Sequence, residues 1–328
     1  MSGVAGEGSE VPGIRTAVVG AGQFGRNHIR LLRENPRVEL AGIVDIDPER
    51  AAAAARESGC PVLDGVDGLA GKVDAAIVAV PTTAHEEVGC ALLRQGIPVL
   101  VEKPIADSLD SARRLVAAAA GSGSLLQVGH VERFNPAVTA VQPIVKLPLF
   151  FEIHRLNLFT PRSLDVDVVL DLMIHDIDIV LWLAGQMPEE IRAAGISILS
   201  TKVDIASVRL AFPGGAIANL TASRVSTERV RKLRIFQPYE YISLDYGRQD
   251  AFRLSVSGGS QIGGGPLKVE KDEPLRLEIE AFLDSVERGS PPLVDGESAC
   301  RTLEVALAVV DKIREHARLV SRRLESVR

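Results

Sequence analysis

Thr16-Ala17-Val18-Val19-Gly20-Ala21-Gly22-Gln23-Phe24-Gly25 is the stretch that decides the fold. A β-branched run, a G-x-G-x-x-G turn and the start of a helical pattern together open a dinucleotide-binding βαβ unit. Gly20 allows the tight turn, Gly22 lets the backbone approach a pyrophosphate, and Gly25 allows the helix to pack closely on the strand. Gln23 and Phe24 fall at the helix start, where free N–H groups and the positive end of the dipole favour phosphate. Asp45 follows at the end of a second β-branched run. Its carboxylate suits a ribose diol and would repel a 2′-phosphate, which favours NAD over NADP. Asp47 precedes Pro48 and Glu49, so it reads as the cap of the next helix. A glycine-rich turn without a ligand is the bland alternative, but strand, turn, helix and acid agree.

Outward from this turn the pattern alternates. Strands are predicted over 15–19, 38–44, 75–80, 99–101 and 125–128, and helices over 28–34, 48–58, 85–95 and 109–120. This rhythm implies a parallel sheet covered on both faces. After about Gly129 strands dominate, over 149–155, 191–199, 206–212, 216–223, 232–236 and 241–244, with one helix from about Asp171 to Leu183. The expected fold class is an α/β Rossmann domain, residues 14–130, plus an α+β C-terminal domain, 131–328, with a large, mainly antiparallel open sheet. Residues 258–266 read as a glycine-rich loop. Helices are predicted over 275–288 and 297–317, and they are expected to pack back on the first domain. Residues 1–13, rich in Gly, Ser and Glu, read as a disordered lead-in with neither the basic start nor the apolar run of a secretory signal. The tail with Arg318, Arg322 and Arg323 reads as a solvated helix end.

The chain of 328 residues carries a net charge of −6, with both signs dispersed and no block of Lys and Arg, so nucleic acid and an anionic membrane face are not expected partners. No stretch reaches the roughly 18 apolar residues of a membrane span. Cys60, Cys90 and Cys300 make neither a metal spacing nor a disulfide framework, so no metal is expected and a reducing cytoplasm fits.

Four segments carry candidate chemistry. Val80-Pro81-Thr82-Thr83-Ala84-His85 ends the third predicted strand, the sheet edge where ligands bind, although Thr82 or Thr83 would also serve as a helix cap. Glu102-Lys103-Pro104 ends the fourth. At that edge the Lys103 amine could stabilise a developing alkoxide, or it could simply pair with Glu102. Asp171 and His175 stand four apart in an amphipathic pattern. His175 suits a general base for an alcohol proton, with a neighbouring carboxylate to orient it, although a satisfied core histidine remains the plain alternative. Asp176 and Asp178 lie on other faces, where they would cap or pair. Gly129-His130-Val131-Glu132-Arg133-Phe134-Asn135-Pro136 falls at the domain junction, and Arg133, Asn135, Arg155, Arg162 and Arg224 are candidates for holding a substrate, the arginines an anionic group.

Taken together, these segments resemble the Gfo/Idh/MocA family of oxidoreductases along nearly the whole chain. The resemblance implies a catalytic group of Lys103, Asp171 and His175. It also implies NAD bound by Gly20, Gly22, Gln23, Phe24, Gly25, Asp45, Pro81, Thr82, His85, Glu102 and Lys103, and oligomers, dimers or tetramers, formed through the second domain's sheet. The segments 129–136 and 163–176 are similar to a narrower group that oxidises the C3 hydroxyl of UDP-N-acetylglucosamine to a ketone, on which a partner aminotransferase then acts. Val168-Val169-Leu170 replaces the glycine-rich approach to D-x-x-x-H seen in many members, so cyclitol-type contacts are not carried over. A dehydrogenase of a free sugar or cyclitol is the enzyme alternative. A non-catalytic NAD-sensing regulator is the other, set against the presence of all three catalytic residues.

Overall fold

The computed structural model describes residues 13–159, 167–257 and 261–325, with side chains as far as 321. The expected lead-in, Arg162, most of the 163–176 segment before Asp167, and the side chains of Arg322 and Arg323 lie outside the described residues. Two compact units are present. The first holds the chain up to Glu102 with Arg114–Gln127 and Ile279–Leu293; the second holds Lys103–Arg113, Val128–Glu278 and the chain from Val294.

The first unit is built on β1 (Ile14–Val19), β2 (Val38–Val44), β3 (Ala75–Val78), β4 (Val99–Glu102) and β5 (Leu126–Gly129), in the order β2-β1-β3-β4-β5. β1 pairs in parallel with β2 and β3, and β3 with β4. β3 is buried throughout, which is why its sequence is an unbroken apolar run. Between the strands run α1 (Gln23–Glu34), α2 (Pro48–Ser58), α3 (His85–Arg94) and α4 (Leu109–Ser122). α1 starts directly on the glycine turn, five residues earlier than periodicity alone predicts. α2 is capped as read: Asp47 accepts from Glu49 N and Arg50 N, Pro48 opens the helix, and Gly59 closes it in the left-handed conformation.

The second unit is an eight-stranded sheet: β6 (Phe150–Leu158), β7 (Glu190–Ile196), β8 (Ile205–Ala211), β9 (Ile217–Ser226), β10 (Val230–Gln237), β11 (Glu240–Asp245), β12 (Asp250–Ser257) and β13 (Gln261–Pro266). The order is β13-β12-β11-β10-β6-β9-β8-β7, antiparallel except for β6 against β9. Its inner face, with Phe151, Ile153, Val208, Leu220, Leu233 and Ile235, is closed by α5 (Pro136–Val141), α6 (Ile174–Ala184) and α8 (Gly296–Glu325). α7 (Pro274–Arg288) has most of its length in the first unit, where Arg37 pairs with Glu280, Asp284 and Glu287. On the outer sheet face Phe236, Phe252, Leu254 and Val256 stay exposed.

Two expectations are corrected. The described part of the 258–266 loop is β13, an edge strand paired with β12, and β12 itself was not anticipated. Gly263, Gly264 and Gly265 give no alternating side-chain signal, and the backbone ladder alone makes the strand. The helix expected from Asp171 begins instead with a π-turn over Val169–Met173, in which Ile174 N bonds Val169 O. Asp171 and His175 are therefore not on one regular helical stripe.

Candidate active site

At the end of β1, Gly20 N bonds Val44 O and the backbone turns with φ at 97°. A Cβ on Gly20 would lie 2.6 Å from Ala79 O, and one on Gly25 would lie 1.8 Å from Gly20 O. Both positions are closed to any side chain. Gly22 is the opposite case, because a Cβ there would meet nothing within 4 Å. The cradle thus has two glycines spent on close packing and one facing open space. α1 starts at this opening with no side-chain cap and no acid in its first turn, which leaves a positive helix end for an anion. The residues fit a dinucleotide's diphosphate. Asp45 clamps the cradle from β2: its carboxylate accepts from Ala21 N at 2.7 Å and from Asp47 N at 2.9 Å. The side chain is 3% exposed, with Arg50 3.9 Å away, and each oxygen has one lone pair beyond these backbone bonds.

Thr82–Ala84 forms a 3-10 turn after Pro81, and neither Thr82 nor Thr83 caps α3. His85 is buried, and its Nε2 donates to Val80 O at 3.0 Å, fixing the turn at the sheet edge. Glu102 has a partner on another element. It accepts from Nε2 of the buried His28 on α1, at 2.7 Å, a partner the sequence reading missed.

Within the second unit the chemistry gathers at the start of α6. Lys103 is 12% exposed, and its Nζ donates to the Asp171 carbonyl at 2.7 Å, with the Asp171 carboxylate at 3.5 Å. His175 follows on the same segment. Its Nδ1 is buried without a partner among the described residues, while part of the ring remains exposed. Burial first, then the charges of Lys103 and Arg155, hold its pKa well below 6.5, so the imidazole is neutral at physiological pH. The buried His130 meets it edge-on, with ring centroids 6.4 Å apart.

Beneath this group runs an ion-pair framework. Arg155 donates twice to Asp176, both at 2.8 Å, and once to Glu132 at 2.9 Å. Arg133 donates twice to Asp178, which also accepts from Thr302, and it stacks on Trp182. Burial opposes the Arg155 charge, but Asp176 and Glu132 outweigh it and hold the guanidinium well above its ordinary value. Asn135 caps α5 through Ala137 N and donates to Glu132 and to Tyr246 O. Arg133, Asn135 and Arg155, the expected substrate contacts, are all buried, and each donates to internal partners. Arg224 is likewise buried, 3.9 Å from Asp204. Sequence reasoning also passed over Arg231. Its signal was present: in β10, Arg231 shares the alternating face of Leu233 and Ile235, an inward position for a charge.

Comparison with known proteins bears on this arrangement. Residues 14–130 match the model of an oxidoreductase family with an NAD-binding Rossmann fold, and residues 152–237 match the GFO/IDH/MocA C-terminal domain. The chain is 35% identical over 303 residues to a UDP-N-acetylglucosamine 3-dehydrogenase of Acidithiobacillus ferrooxidans, covering 90% of this chain and 96% of that one. A solved structure of the enzyme of that name from the same organism superposes with a TM-score of 0.87 over 92% of this chain and 98% of its own. An inositol 2-dehydrogenase of Rubrobacter xylanophilus is 33% identical over 227 residues, 65% of each chain. With both domain models matched in order and a dehydrogenase aligned along nearly its full length, the chain belongs to the Gfo/Idh/MocA family of NAD-dependent oxidoreductases.

Proposed function

We propose that the enzyme oxidises the C3 hydroxyl of UDP-N-acetylglucosamine to the ketone. The observation that carries the chemistry is the fixed Lys103 ammonium on the Asp171 carbonyl, beside a neutral His175. The likeness to the Acidithiobacillus enzyme supports the substrate. NAD would be held by the Gly20–Gly25 turn and Asp45 and, when bound, would supply the hydride acceptor. The chain's part is proton and charge management. His175 takes the hydroxyl proton at Nε2, since Nδ1 is enclosed. Lys103 donates a hydrogen bond to the oxygen as negative charge develops, and Asp171 holds that ammonium in place. The C3 hydrogen leaves with its electron pair, and a C=O bond forms.

A second copy of the chain fits the outer sheet face, where Phe236, Phe252, Leu254, Val256 and Ile262 are exposed, as in dimers or tetramers. Light scattering on the purified protein tests this. The ketone is a substrate for a partner aminotransferase. The unpaired Cys60, Cys90 and Cys300 agree with a cytoplasmic setting, and among the described residues no helix is long and apolar enough to cross a membrane.

The test is NADH formation from NAD with UDP-N-acetylglucosamine, free N-acetylglucosamine and myo-inositol in parallel, with an added 2-oxoglutarate arm to reoxidise retained NADH. Turnover with the nucleotide sugar alone is expected. Turnover with myo-inositol alone would instead place the chain with the inositol dehydrogenases.

A further inference from the structure

Across β6 and β10, Arg155 and Arg231 are register partners, so two guanidinium groups leave the same face of neighbouring strands side by side. Like charges so placed repel each other unless something neutralises them. For Arg155 the answer is complete, with two carboxylates and three charge-assisted hydrogen bonds. Arg231 has no such answer. It makes no ion pair among the described residues, and its Nε is buried without a hydrogen-bond partner. Burial first, then the charge of Arg155, hold its guanidinium below its ordinary value, and Glu132 and Asp176 only partly offset this.

Other unsatisfied groups belong to the same unit. His175 Nδ1, Asn157 Oδ1 on β6 and Tyr246 Oη are also buried without partners among the described residues. The Arg231 charge acts on His175, and its register partner Arg155 is bonded to Asp176, the residue that follows His175. Buried polar atoms are seldom left unpaired, and an arginine among them, beside a second arginine already neutralised, calls for an anionic partner. A neutral cyclitol would supply hydroxyls but no counter-charge for Arg231.

We propose that Arg231 grips a phosphate oxygen of the substrate's diphosphate and so selects a nucleotide sugar over a neutral sugar. This rests on the UDP-N-acetylglucosamine reading above and names the residue that enforces it. The fork of a guanidinium suits a phosphate, and the contact replaces the ion pair that Arg231 lacks within the chain. Arg231 is a binding residue here and has no role in moving the proton.

The test compares wild type, Arg231→Gln and Arg231→Lys as NADH-bound enzymes. Calorimetry measures the affinity for UDP alone, steady-state kinetics gives KM and kcat for UDP-N-acetylglucosamine, and thermal melting checks the fold. Arg231→Gln is expected to weaken UDP binding and raise KM about ten- to a hundredfold, with kcat falling much less. Arg231→Lys, which keeps the charge and loses the fork, should recover part of both. A folded Arg231→Gln with wild-type UDP affinity and KM overturns the assignment while leaving the substrate reading intact. Should Arg231→Gln fail to fold, a folded Arg231→Lys with wild-type UDP affinity and KM overturns it equally. A wild-type enzyme that ignores UDP and its sugar yet oxidises myo-inositol removes the substrate reading itself, and Arg231's role with it.

Discussion

The glycine cradle of the first unit and the inner sheet face of the second prepare for their ligands by opposite means. The cradle is made of backbone. Its specificity comes from missing side chains at Gly20, Gly22 and Gly25, and one carboxylate, Asp45, clamps it. The second site is made of side chains from Lys103, His130, Asp171, His175 and Arg231, brought together from segments far apart in the chain. A backbone site tolerates almost any neighbour but no added atom. A side-chain site tolerates small shifts but depends on its charges being balanced, by internal partners for Arg155 and, on our proposal, by the ligand for Arg231.

The comparison breaks most sharply at the proposed catalytic group. Lys103→Met or His175→Asn should lower kcat by about 10²–10⁴-fold while NAD affinity, read by fluorescence titration, stays near wild type. A parallel loss of NAD binding would mean that the two sites are not separable. Next comes the framework. Arg155→Met strands Glu132 and Asp176 in the interior, so unfolding stability should drop by about 3–5 kcal/mol, with hydrogen exchange quickening in the second unit first. The cradle offers the converse. Gly25→Ala adds an atom where the Gly20 oxygen already stands, and calorimetry should show NAD binding weakened by about tenfold or more, with little change in the second unit's exchange.

The smallest effect is in pH. His175 is buried neutral, so the acid limb of kcat/KM should fall below pH 6.5. The unfolded chain binds a proton there that the folded one resists. Stability from this group is therefore present above about 6.5 and is lost as the pH falls through that range. An acid limb at or above 6.5 would put the proton on another group.

The same contrast explains what could be read in advance. The cradle was legible because absent side chains are visible in sequence, and strand, turn, helix and Asp45 occur in order. Lys103, Asp171 and His175 could be singled out by residue type, and the fold brings Lys103 onto Asp171. The internal partners of Arg133 and Arg155 were not legible, because a charge is visible in a sequence but its partner is not. Asp178 and Asp176, which consume them, lie on another element. Arg231 hid for the same reason, since only the register against Arg155 reveals that it lacks a partner. β13 was missed because hydrogen bonding to β12, and not side-chain alternation, creates it.

The π-turn over Val169–Met173 makes chain length a constraint at this site. It holds one residue more than an ordinary helical turn. Deleting Leu172 or Met173 would restore regular α-helix and rotate everything before it by about 100° relative to everything after. The Asp171 carbonyl that holds Lys103 would swing away from the His175 ring although neither residue had changed. Replacing these positions one at a time would never expose that dependence; removing one would.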